Sequence, residues 1–96
     1  MKLIRIFEDQ TPFNQRKCDN SHTKVYIETI SYYTQTSGES AADEAFHCSN
    51  APEEILSEAQ KIIASYWKGR RSLSVGDIVE VDGISYRCES FGWKIV

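Results

Sequence analysis

The chain is short of the residues that interrupt or cross-link a fold: 96 residues hold two prolines, five glycines and three cysteines. It also lacks any apolar run near the 18 or more residues that a membrane span needs, so no membrane association is expected. Neither charge sign dominates. Eleven Lys and Arg face fourteen Asp and Glu, a formal charge of −3, which excludes a polybasic nucleic-acid arm and an acidic disordered tail. Apolar residues make up 41% of the chain, enough to fill one core, and the length leaves no room for a second. A single domain over residues 1–96 is expected. The start, Met1-Lys2-Leu3-Ile4-Arg5-Ile6-Phe7, puts Arg5 and Glu8 where a secretory leader needs an apolar core, with no cleavage site after it. A soluble cytoplasmic chain is therefore expected.

The cysteines, Cys18, Cys48 and Cys88, are odd in number and widely spaced, unlike the even framework of a small secreted domain. Reduced thiols fit better. Cys18 with His22, and His47 with Cys48, offer two pairs that one zinc ion would have to bridge. Neither pair has the C-x2–4-C spacing of structural zinc sites, so no metal and no cofactor is expected. No base can be assigned to a nucleophilic cysteine by spacing, no Gly-rich phosphate loop follows a strand, and no carboxylate pair has an identifiable task. A catalytic role is not expected.

Lys2 to Phe7 reads as a first strand, and Glu8 to His22 collects the Asp, Asn, Gln and Pro of a loop. A second strand is expected from Thr23 to about Tyr33. Gln35 to Ser40 reads as a polar turn, and Ala45-Phe46-His47-Cys48 as a short third strand. Between Ala51 and about Lys68, apolar residues at Ile55, Leu56, Ala59, Ile62, Ile63, Tyr66 and Trp67 form one stripe at the helical period. Asn50 is the expected cap, with Glu53 completing a capping box, Pro52 in the first turn, and Gly69 closing the helix. Asp82-Gly83 between two alternating runs predicts a type I′ hairpin. Its register would set Val81 against Ile84, Val79 against Tyr86 and Asp77 against Cys88, with Glu80 diagonal to Arg87 as a cross-strand pair. The fold class expected is α+β: a small antiparallel sheet, one main amphipathic helix packed on one face, and a C-terminal β-hairpin.

The run Ser72-Leu73-Ser74-Val75-Gly76-Asp77-Ile78-Val79, followed by Tyr86, Cys88 and Ser90-Phe91-Gly92-Trp93, resembles the C-terminal signature of YodL-like domains. These are small proteins or modules of phages, prophages and conjugative elements. The resemblance covers Ile55 to the C-terminus, and the family's usual N-terminal sheet region is longer than the one here. It implies a mobile-element accessory protein inside a bacterial cell, with no family catalytic residue to carry over. Read as residues alone, Ser74 and Asp77 are turn formers, Gly76 allows an unusual backbone angle, and Gly92 lets the chain bend beside two aromatics.

Two functions are weighed. The first is a non-enzymatic accessory that binds a host or defence protein, of which an anti-defence inhibitor is a special case. Its candidate contacts are Tyr66, Trp67, Arg70, Arg71, Phe91 and Trp93, drawn from more aromatics (Tyr32 and Tyr33 included) than one small core can bury. The second is a nucleic-acid-binding module in which Lys68, Arg70 and Arg71 meet phosphates beside Trp67. The net acidity makes this the weaker expectation, since a basic helix end is also what the helix dipole favours.

Overall fold

The computed structural model describes residues 1–10 and 25–96. Cys18, His22 and most of the expected loop, together with the start of the expected second strand, lie outside these residues. The described elements are β1 (Lys2–Asp9), β2 (Tyr26–Thr34), α1 (Gly38–Asn50), a 3-10 turn (Glu53–Ile55), α2 (Glu58–Ser65), β3 (Ile78–Val81), β4 (Ile84–Cys88) and β5 (Trp93–Ile95). The strands form one antiparallel sheet in the order β2-β1-β3-β4-β5, so the fold is α+β with a C-terminal hairpin, as expected.

Alternation builds the sheet. Ile4, Ile6, Ile30, Tyr32, Val79, Val81 and Tyr86 point to the buried face, where they meet Ala41, Ala42, Ala45, Trp67 and Leu73 from the helical side. Their neighbours Arg5, Glu28 and Glu80 line the other face, where Arg5 Nη1 donates to Glu80 at 3.1 Å and its guanidinium also pairs with Glu28. The register skips Thr29 between the pairs Ile6–Ile30 and Phe7–Glu28, a bulge before which Ile27 is left exposed.

The hairpin has the expected register, Val79 with Tyr86 and Val81 with Ile84. Asp82 and Gly83 both take positive φ, 51° and 90°, as a type I′ turn demands. The Glu80–Arg87 pair does not form. β1 lies beside β3 and sets Arg5 opposite Glu80, while Arg87 pairs with Glu89 at 3.0 Å.

The helical layer departs from the sequence reading. Residues 38–50, expected as a turn and a short strand, are the longer helix α1. Its buried residues Ala41, Ala42, Ala45 and Cys48 recur at helical spacing, a stripe of small side chains that lets the helix approach the sheet closely. The expected helix from Ala51 is broken into the 3-10 turn and the short α2. Pro52 ends α1 instead of opening α2, because it holds Ala51 in extended backbone. Asn50 belongs to the end of α1, where its amide donates to the carbonyls of Phe46 and Leu73. The cap of α2 is Ser57, which completes a capping box with Gln60. With the stripe interrupted, Ile55 and Ile62 are each 64% exposed, and the inward contacts come from Leu56, Ile63 and Trp67. Gly69 does take positive φ, 78°, at the end of the turn that follows α2.

Candidate functional site

The six residues singled out from the sequence fall into two groups, one around the end of α2 and one at the β5 edge of the sheet. Tyr66 stacks on Tyr32 of the edge strand β2, with ring centroids 5.3 Å apart, and Trp67 meets the same ring edge-on at 6.0 Å. Trp93 lies on β5, the other edge. Four strand spacings separate the two edges, about 19 Å. The sequence-defined set is therefore not one surface.

Around the end of α2 the chemistry is used internally. Trp67 is 6% exposed and belongs to the core. Arg71 turns its guanidinium onto the carboxylate of Asp77, which is 1% exposed, with Nη1 donating to Oδ2 at 2.7 Å and Nη2 to Oδ1 at 2.8 Å. The backbone N–H groups of Asp9 and Ser74 donate to the same carboxylate at 2.9 and 3.0 Å. Four donors thus hold one buried charge, as burial of a carboxylate requires. Arg71 Nε lies 3.3 Å from Glu8, and Asp77 first and Glu8 with it push the Arg71 guanidinium above its ordinary pKa. The cluster of three cations is reduced to Lys68 and Arg70, both exposed and neither in an ion pair among the described residues. Asp77, read from the sequence as a turn former, is the anchor that joins the loop after α2 to β1. The Arg-to-Asp spacing across the Ser74–Gly76 turn was the available signal.

At the β5 edge the aromatics are presented outward. Four residues, Glu89 to Gly92, connect β4 to β5, and the loop is closed by Glu89 N–H donating to the Gly92 carbonyl at 2.9 Å. Gly92 has φ 78°, a conformation a side-chain-bearing residue rarely adopts, and this turns the chain so that Phe91 stands 97% exposed. Trp93 is half-buried. Its indole N–H donates to Asp43 Oδ1 at 2.7 Å, and its ring meets Phe46 edge-on with centroids 6.4 Å apart. Phe46, on α1, is a contact the sequence reading missed because it placed that segment in a strand. Between helix and hairpin loop lies an open groove of about 180 Å³, lined by Asp43, Phe46, Cys88, Glu89, Ser90, Gly92 and Trp93.

Nothing in either group is arranged for nucleophilic chemistry. Burial pushes the thiols of Cys48 and Cys88 up to about 11, so both are protonated and unreactive at neutral pH. His47 is exposed on α1 while Cys48, next to it, is buried, so the two do not share a face. Among the described residues no cluster of three or more His, Cys, Asp or Glu is placed to hold a metal ion. No helix among them is long and apolar enough to cross a membrane. Comparison of the chain with protein families, curated proteins and solved structures finds no match.

Proposed function

We propose that this chain is a non-enzymatic accessory that binds a protein of a bacterial host or its defence systems through the β5 corner, with Phe91, Trp93 and Phe46 as its aromatic contacts. The observation that carries this reading is Phe91, a large apolar ring fully in water at the tip of a closed hairpin loop, beside two further aromatics. The closed loop fixes the backbone that presents this ring, and aromatic anchors dominate binding energy at interfaces. The resemblance of the C-terminal half to YodL-like domains supports the mobile-element setting, and an anti-defence inhibitor is one form such a binder takes. The commitment of Arg71 to Asp77 supports protein over nucleic acid, because it leaves only two cations at the helix end and each phosphate contact weakens with salt.

The test is capture of partners from the native host with the full chain as bait, identified by mass spectrometry. A Phe91→Ser chain and a Lys68→Ala/Arg70→Ala chain run alongside. The expected result is a protein retained by the wild-type and the double-lysine-arginine variant and lost, at least tenfold, with Phe91→Ser. Parallel titration of fluorescent single- and double-stranded DNA and RNA at about 150 mM salt should show no saturable binding in the low-micromolar range. Nuclease-sensitive capture that survives Phe91→Ser and disappears in the Lys68/Arg70 variant would overturn the reading.

A further inference from the structure

The groove at the β5 corner carries a more specific statement about what docks there, resting on the reading of that corner as a protein-binding surface. Its size decides the first step. About 180 Å³ is well below the roughly 300–1,000 Å³ of sites that enclose drug-sized ligands, so it has room for a side chain and not for a metabolite. Its lining decides the second. Two carboxylates, Asp43 and Glu89, and no basic side chain line it together with the rings of Phe46 and Trp93, which meet edge to face. Asp43 gives one oxygen to the Trp93 indole, and among the described residues no cation pairs with it. Glu89 receives Arg87 through one oxygen at 3.0 Å. An aromatic ring attracts a cation over its face, and a carboxylate beside it supplies the counter-charge, whereas an anionic side chain would meet the uncompensated charge of Asp43.

We infer that the groove receives an arginine or lysine side chain of the protein partner, its aliphatic stem against Phe46 and Trp93 and its charged end toward Asp43, while Phe91 rests on an apolar neighbour in the same segment. Phe91 would provide the contact area, and the groove would select for positive charge. Arginine fits better than lysine, since its planar head stacks on aromatic faces and pairs with carboxylates in a fork.

The probe is a short acetylated and amidated peptide with one arginine between two leucines, set against the same peptide carrying citrulline or glutamate instead. Citrulline keeps the shape and removes the charge. The readout is the indole N–H resonance of Trp93 in the full-length ¹⁵N-labelled protein, assigned by its loss in Trp93→Phe, with the indole of buried Trp67 as internal control. The arginine peptide should shift the Trp93 resonance saturably and leave Trp67 in place. The citrulline peptide should bind at least fivefold more weakly and the glutamate peptide weaker still. Asp43→Asn, which retains an acceptor for the indole N–H, should cost at least fivefold in arginine-peptide affinity, and Glu89→Gln should cost less. Equal binding of the arginine and citrulline peptides would overturn the inference, as would the absence of any shift up to about 1 mM peptide, the weak end of specific association. Loss of host-protein capture on Phe91→Ser without an arginine response would remove this inference and leave the docking surface standing. Capture unaffected by Phe91→Ser would remove the docking surface as well.

Discussion

The region around the end of α2 and the β5 edge hold the same kinds of residue, aromatic rings beside charges, and use them in opposite ways. Around the end of α2 Trp67 is buried against Tyr32, and the charge of Arg71 is spent on Asp77, which also receives two backbone N–H groups. At the β5 edge Phe91 is in water, Trp93 is half-covered, and Asp43 has only the indole N–H of Trp93 for a partner among the described residues. Residue type does not separate the two. The difference lies in whether the neighbouring backbone brings complementary groups to each side chain. Where the loop after α2 folds back on β1, the Arg71 guanidinium and the N–H groups of Asp9 and Ser74 find a shared acceptor inside the molecule. Where a closed hairpin loop projects past the last strand, the side chain at its tip has nothing of its own chain to touch.

The largest effect that would sharpen this contrast is at Trp67. Replacing it with Ala should cost about 3–5 kcal/mol, a large share of the stability of a small domain. Ile62→Ala, on the exposed side of α2, should stay within about 0.5 kcal/mol. Chemical denaturation of both variants checks the assignment. Equal losses would mean that the helical stripe packs as its periodicity suggests and that Trp67 is no more buried than Ile62.

Next comes Asp77. Its removal leaves the Arg71 guanidinium and two backbone N–H groups without their shared acceptor, and breaking a buried pair from one side costs about 3–5 kcal/mol. Arg71 retains access to water, its side chain being 35% exposed, so Asp77→Ala should fall at the low end, about 3 kcal/mol. The denaturation midpoint should drop while Phe91-dependent capture by the folded fraction is kept. Unchanged stability would show that the loop after α2 is not locked by this carboxylate.

A graded effect follows from the thiols. Burial raises Cys48 and Cys88 from an ordinary value near 9 to about 11, and the folded state therefore prefers both protonated. The stability this contributes is complete below pH 9 and is lost as the pH climbs through about 11, since the unfolded chain releases its protons first. Burial also raises Tyr32 from its ordinary value of 10, so its contribution starts to fall above pH 10 and accounts for part of the decline that remains without the two thiols. The denaturation midpoint should decline steadily from pH 9 upward, and a Cys48→Ala/Cys88→Ala chain should decline less. At neutral pH neither thiol should react with iodoacetamide in the folded protein at a rate above that of unfolding.

How much of this was legible in the sequence depends on the range of the interactions involved. The β3–β4 hairpin was readable to the residue, because Asp82-Gly83 and the alternation around it are local signals that the sheet does not contradict. The helix at residues 38–50 was not, because its buried stripe consists of Ala and Cys, whose small apolar surface gives a weak periodic signal beside the turn-forming Ser37-Gly38. The helix expected from Ala51 to Lys68 was over-read. Its stripe is periodic, but Pro52 and the strong cap at Ser57 divide it, and the sheet area available is already covered by α1 and Trp67. For the candidate site, Phe91 and Trp93 stood out in the sequence as aromatics beyond what one small core can bury. The pairing of Trp93 with Phe46 and Asp43 depends on where α1 packs, which no short-range pattern discloses.

The smallest expected effect on stability sits on the residue expected to matter most for binding. Phe91 buries almost nothing at 97% exposure, so Phe91→Ser removes no packed surface and leaves no cavity, and its stability should match the wild type within about 0.5 kcal/mol. The backbone that sets the ring outward is untouched, because the Glu89–Gly92 hydrogen bond and the positive φ of Gly92 do not involve the Phe91 side chain. Gly92→Ala makes the complementary change. It keeps the ring and strains the turn that aims it, since Ala in this conformation costs on the order of 1 kcal/mol, although its Cβ meets no atom within 4 Å. If the corner is a docking surface, Phe91→Ser should lose the partner at full stability, and Gly92→Ala should lose some of both. A Phe91→Ser chain that is destabilised by more than 1 kcal/mol would mean that the ring packs on its own molecule in solution, and the contrast between the two regions would disappear.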